Sequence, residues 1–168
     1  MGVIMSGIDP SHDLHIVLVQ PEIPPNTGSI ARLCGATNAT LDLIHPLGFS
    51  TDDKHLKRAG LDYWSHVKIR HWPDLDTYLA AQAEERLYFF TTKTERPYFK
   101  AEFHPASRLI FGRETRGLDE EILALYQERC YTIPMQNSNI RSLNLAMSAG
   151  IVLYEAIRQL SMDTDHQA

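Results

Sequence analysis

Short apolar runs alternate with amphipathic stretches along most of this chain, and that alternation predicts its elements. His15-Ile16-Val17-Leu18-Val19 reads as a buried strand, and Pro21, Pro24 and Pro25 forbid its continuation. Leu41 to Ile44, Val67 to Arg70, Arg86 to Thr91, Arg108 to Phe111 and Cys130 to Ile133 read as further strands. Helices are predicted between them. Asn26 caps one that runs through Ile30, Ala31, Leu33 and Cys34, and a short one covers Asp53 to Arg58. Pro73, with Asp74 and Asp76 at the positive dipole end, opens another to about Glu85. The remaining two cover Asp119 to Gln127 and Ser142 to about Leu160, leaving Lys93–Ser107 and Met135–Arg141 as loops. Strands alternating with helices give an α/β fold, a mostly parallel sheet with flanking helices.

Length adds that 168 residues hold one domain. The expected layout is a flexible extension over 1–14, the domain over 15–160 and a polar tail over 161–168. Apolar residues make up 43% of the chain and charged residues 22%, as in an ordinary soluble protein. Runs such as Leu87-Tyr88-Phe89-Phe90 are too short to span a bilayer, and residues 1–14 lack a signal-peptide pattern. Cys34 and Cys130 form no metal-binding spacing, so the expectation is a cytoplasmic protein with reduced thiols, no membrane and no metal. A net charge of −5 disfavours nucleic acid as a partner, except that Lys54, Lys57, Arg58, Lys68 and Arg70 cluster against only Asp62.

Several chemistries are excluded. No GxGxxG follows the first strand, and the glycines at Gly112 and Gly117 lack the lysine and hydroxyl of a P-loop. The eight histidines show no HExxH spacing and the serines no GxSxG elbow. Three segments stand out instead. Asn26 to Arg32 places an arginine among apolar helical neighbours. Gly112-Arg113-Glu114-Thr115-Arg116-Gly117-Leu118 follows an apolar strand, and Ile133-Pro134-Met135 leads to Arg141-Ser142-Leu143-Asn144. Each has a plain structural account. Asn26 and Ser142 suit helix caps, Asn144 suits a first-turn hydrogen bond, Glu114 can pair with Arg113 or Arg116, and Arg32 can face solvent. Their placement at strand ends, where open α/β sheets bind ligands, points to a site.

In order, these segments resemble the motifs of the SPOUT methyltransferases. More narrowly, Pro21-Glu22-Ile23-Pro24-Pro25-Asn26-Thr27-Gly28, Arg58-Ala59-Gly60-Leu61-Asp62-Tyr63 and Thr91-Thr92-Lys93 resemble the minimal TrmL-type tRNA ribose methyltransferases. The likeness covers about His15 to Leu160. It implies a C-terminal deep trefoil knot clasping S-adenosylmethionine, with Phe90, Gly112, Ile133 and Ser142 around the cofactor. It implies a central catalytic role for Arg32, oriented with Asn26, Glu114, Ser142 and Asn144. It also implies methyl transfer to the ribose 2′-hydroxyl of the wobble nucleotide of tRNA, a cytidine or modified uridine, with tRNA-Leu the expected species. A ribosomal RNA substrate and a non-catalytic RNA-binding assembly protein are the rivals. With no added RNA-binding domain, the resemblance implies a homodimer, with Val152, Tyr154 and Ile157 of the last helix at its interface. Lys54, Lys57 and Arg58 are then the expected RNA contacts. The loop 136–140 is a residue longer than the family pattern.

Overall fold

Strands β1 (His15–Val19), β2 (Thr40–Ile44), β4 (Leu87–Phe90) and β5 (Arg108–Phe111) are buried along their whole length, including the polar His15, Thr40, Asp42 and Arg108 among their mostly apolar residues. Together with β3 (Lys68–Trp72) and β6 (Cys130–Tyr131) they form a six-stranded sheet in the order β3-β2-β1-β5-β4-β6, parallel throughout. The computed structural model describes residues 11–51 and 64–165, with side chains to residue 161. The helix expected over 53–58 lies outside the described residues.

The pleat sends alternate side chains to two apolar layers. Ile16, Leu18, Leu41, Leu43, Leu109 and Phe111 pack with helices α1 (Pro24–Thr37) and α4 (Leu145–Asp165). Val17, Val19, Ile44, Phe89 and Ile110 face the other way, onto α2 (Leu75–Ala80) and α3 (Glu120–Leu125). Near the amino ends of the strands this second face is polar. Asp42 accepts hydrogen bonds from Trp72 Nε1 (3.1 Å) and Tyr78 Oη (3.2 Å), and lies 2.5 Å from His15 Nδ1. Arg108 donates to Gln82 and to both the carbonyl and the carboxylate of Asp13. Satisfying these groups mutually is what lets them sit in the interior.

Several boundaries differ from the sequence reading. Helix α1 starts at Pro24 with Ile23 as its N-cap, so Asn26 lies in the first turn and is free for another role. Asp74, whose carboxylate accepts the Thr77 N–H at 2.7 Å, caps α2, and Pro73 stays outside. That helix ends at Ala80, and a separate 3₁₀ turn covers Glu84–Arg86. Helix α4 begins at Leu145 and runs to Asp165, past the expected limit and into the expected tail. Leu14, expected in the extension, is buried, and Asp13 N–H donates to the Pro105 carbonyl at 2.7 Å. Strand β6 is only two residues long. Beyond it Thr132 bridges to Pro97, giving its N–H to Arg96 and its carbonyl to Tyr98 N–H. Thr91 N–H donates to the Tyr131 carbonyl, which carries residues 91–93 to the carboxyl edge of the sheet.

Candidate active site

Strand order reverses between β1 and β5, since β2 and β3 extend the sheet one way and β4 and β6 the other. A crevice at such a switch point is the standard ligand position in open parallel sheets. A cleft of about 460 Å³ opens at this edge, within the span of small-molecule sites, roughly 300–1,000 Å³. Phe90, Phe111, Ile133 and Leu143 give it an apolar interior. Thr91, Thr92, Lys93, Arg113, Arg116, Arg141 and Ser142 give it a polar and cationic rim.

The β5–α3 loop can bend into this position because Gly112 has no side chain. A Cβ there would lie within 2.5 Å of the Gly117 carbonyl oxygen, and nearer still to Gly117 C and Leu118 N. Gly117 closes the turn at φ 69°, and its N–H donates to the Arg113 carbonyl at 2.8 Å. Glu114 then reaches across to the β1–α1 loop. Its carboxylate accepts Glu22 N–H at 2.8 Å, Ile23 N–H at 3.1 Å and the Asn26 amide at 3.1 Å. Arg113 pairs with Asp119 at 2.5 Å, so Glu114 is not committed to the neighbouring arginine.

Asn26 continues the chain of contacts. Its carbonyl oxygen accepts the Asn144 amide at 3.0 Å. Asn144 is the N-cap of α4, and its Oδ1 accepts Ala146 N–H (2.9 Å) and Met147 N–H (3.3 Å). Glu114, Asn26 and Asn144 therefore tie the β5–α3 loop, α1 and α4 into one relay beside the cleft. Ser142 is not that cap. It lies in the loop before α4 and lines the cleft.

A family model for the SpoU rRNA Methylase family matches residues 13–154. The chain belongs to that family. The tRNA (cytidine(34)-2'-O)-methyltransferase of Aeromonas hydrophila is 47% identical over 148 residues, covering 88% of this chain and 94% of that protein. A solved structure described as giving structural insights into the 2-OH methylation of C/U34 on tRNA superposes with a TM-score of 0.85 at 45% identity. It covers 91% of this chain and 99% of the other. The SpoU methyltransferase AviRb from Streptomyces viridochromogenes, solved with the cofactor AdoMet, gives a TM-score of 0.73 at 26% identity, covering 89% of this chain and 58% of that one.

In this SpoU family member the residues expected around the cofactor, Phe90, Gly112, Ile133 and Ser142, all line the cleft, as do Asn26, Glu114 and Asn144. Arg32 does not. It is exposed on α1, six residues beyond Asn26 and so about 120° round the helix from it. Lys54, Lys57 and Arg58 lie outside the described residues, while Lys68 and Arg70 are exposed on the edge strand β3. Sequence reasoning gave no role to Glu22 or Thr115. They lie 93 residues apart, and no local spacing pairs them. Among the described residues no three of His, Cys, Asp and Glu are grouped to hold a metal ion, and no helix is long and apolar enough to cross a membrane.

Proposed function

We propose that this protein methylates the ribose 2′-hydroxyl of the wobble nucleotide of tRNA, using S-adenosylmethionine. The observation that carries the reading is the cleft itself. Its lining unites all four expected cofactor residues with the Glu114–Asn26–Asn144 relay, in a chain whose relatives methylate this ribose position. The cleft fits the cofactor: Phe90, Phe111 and Ile133 offer apolar surface for an adenine, and the hydroxyl, amide and cationic rim offers partners for a ribose and an amino acid. Bound there, S-adenosylmethionine supplies an electrophilic methyl group on a sulfonium that leaves readily.

The protein's own task is alignment and charge control. Glu114, Asn26 and Asn144 hold three chain segments in fixed relation, so the rim cannot drift relative to the apolar interior. Arg32 serves by holding the nucleotide's phosphate or by stabilising the developing alkoxide, the electrostatic work a guanidinium suits, rather than as a base. Since it is exposed and does not line its own cleft, Arg32 acts in this reading at the cleft of a second subunit. A homodimer supports this arrangement, and α4 offers the surface. Met147 (62% exposed), Ile151 (36%) and Tyr154 (50%) form an outward apolar stripe at i, i+4 and i+7. Val152 and Ile157, expected at the interface, are buried in the core instead. The dimer's charge doubles to about −10, so RNA contact falls to local cationic patches. Lys54, Lys57 and Arg58 are assigned that role, with tRNA-Leu the expected substrate and the cytoplasm the place of action.

Methyl transfer from labelled S-adenosylmethionine into tRNA lacking this modification, followed by nucleoside mapping, tests the reading. A 2′-O-methylated wobble nucleotide is expected. Incorporation into ribosomal RNA alone would replace the tRNA assignment. Turnover near wild type in Arg32→Lys would remove the guanidinium-specific role.

A further inference from the structure

The β1–α1 loop and the β5–α3 loop grip each other in both directions. Glu114, on the β5 side, accepts the backbone N–H groups of Glu22 and Ile23 at 2.8 and 3.1 Å. Glu22, on the β1 side, accepts in return from the other loop: Thr115 Oγ1 donates to its Oε2 at 2.7 Å and Thr115 N–H at 3.2 Å. Each carboxylate thus closes on its partner's loop, within one residue of the other carboxylate's own position.

The reciprocity has a physical consequence. The ends of the 112–117 turn are fixed independently, by the close approach of Gly112 to Gly117 and by burial of Leu118. Its tip, Glu114-Thr115-Arg116, lines the cleft, and among the described residues it is held by hydrogen bonds that run across the crevice. Charge-assisted bonds to a carboxylate are roughly twice as strong as neutral ones. Both halves of the clasp are of that kind. Glu22 itself is absent from the cleft lining, so it acts on the site through its hydrogen bonds to Thr115 and through its charge. The Thr115 hydroxyl and N–H hold its carboxyl below the ordinary glutamate range, and the Arg113 and Arg116 guanidiniums add to this. Its carboxylate also offsets those two cations at the rim. On the other side Glu22 is backed by the loop after β2, where Gly48 N–H donates to the Pro21 carbonyl at 2.9 Å. A Cβ at Gly48 would come within 2.9 Å of Glu22 Cα. The clasp is therefore braced from behind.

We infer that Glu22 is a positioning residue for methyl transfer, holding the Thr115–Arg116 tip in register with Glu114 and Asn26. This rests on the methyltransferase reading above. A displaced tip leaves the apolar interior of the cleft in place, so the loss falls on the reaction and not on cofactor binding. A misplacement of about 1 Å at a reacting centre costs up to a hundredfold in rate. One half of a double clasp is expected to cost about tenfold.

Glu22→Ala, Thr115→Val and the double variant are compared with Thr115→Ser and Glu22→Gln, which keep a donor and an acceptor respectively. The measurements are kcat at saturating S-adenosylmethionine and tRNA, cofactor Kd by calorimetry, and hydrogen exchange of the 113–117 amides. Each alanine or valine single variant is expected to lose about tenfold in kcat with cofactor Kd within about twofold. The double variant is expected to lose the same tenfold, not a hundredfold, because the two residues act as one unit. Thr115→Ser and Glu22→Gln are expected to recover most of the rate. Wild-type kcat in Glu22→Ala, or multiplicative losses in the double variant, would overturn the inference. If Glu22→Ala does not fold, the Thr115→Val and Thr115→Ser pair decides it through the same kcat contrast. Should the wild type methylate no RNA, the functional reading fails separately. Unchanged amide exchange at Thr115 in the Glu22 variants would then still refute the clasp.

Discussion

Replacing Gly112 with alanine tests how the site is built. The new methyl would lie within 2.5 Å of the Gly117 carbonyl oxygen, where ordinary contact begins near 3.4 Å. Its other near neighbours are also backbone atoms of Gly117 and Leu118, so no side chain can rotate aside. The turn must therefore open by about 1 Å, and overpacking of this kind costs about 1–3 kcal/mol. The strain does not stay local. Opening by that amount stretches the 2.8 and 3.1 Å contacts of Glu114 beyond hydrogen-bonding range and detaches the tip from the β1–α1 loop. At about 2 kcal/mol the melting temperature of a chain this size falls by roughly 4–8 °C. Urea unfolding reads the strain as lower stability, and calorimetric titration with S-adenosylmethionine is expected to show weaker binding because Gly112, which itself lines the cleft, is displaced. Gly150→Ala is the matched control. Its Cβ would meet only Leu33 Cδ2, at 3.9 Å, and alanine inside α4 should add about 0.5–1 kcal/mol. A Gly112→Ala protein with wild-type stability and cofactor affinity would refute the argument that the turn must approach this closely.

Further outcomes follow from other parts of the molecule. Asn144→Ala removes the α4 cap and the amide donated to Asn26, so a loss of about 1–2 kcal/mol is expected in urea unfolding, together with reduced turnover. Asp42→Leu leaves the buried donors of Trp72 and Tyr78 and the His15 ring without their acceptor. The expected cost is about 3–5 kcal/mol, with cofactor affinity unchanged in whatever fraction stays folded. Partial burial pushes the Asp13 carboxyl up, but the Arg108 hydrogen bond and the charges of His15 and Arg108 outweigh it and hold it below its usual value. Its stabilising contribution is therefore present above the ordinary aspartate value, about 3.8, and is lost as pH falls through the lower folded value. Asp13→Asn should flatten the acid limb of a stability–pH curve, modestly because the side chain is half exposed. Ile151→Asp should shift the sedimenting species to a monomer and abolish methyl transfer, while an unchanged dimer would rule out the α4 stripe as the interface.

How much of this was legible in the sequence depends on the range of each interaction. Apolar runs such as Val17–Val19 and Leu109–Phe111 announce buried parallel strands because both faces of the sheet are covered, a requirement written in consecutive residues. The three motif segments were visible too, since glycine, proline and polar residues at strand ends break the apolar pattern where ligands bind. Roles within the segments were not. Asn26 read locally as a helix cap, yet Pro24 starts the helix and frees its amide for Glu114 and Asn144. Glu114 read as a partner for its neighbouring arginines, but the turn closed by Gly117 aims it at backbone 91 and 92 residues away. The knot was implied by resemblance alone, because threading leaves no mark on periodicity. Nor could composition place Arg32 outside the cleft or sort Val152 from Tyr154, since which side of a helix is covered depends on what packs against it. Local patterning determined the elements and the edge of the sheet that carries the site. Only tertiary structure decided which carboxylate grips which loop, because hydrogen bonds between segments 90 or more residues apart are fixed by how the sheet brings those loops together.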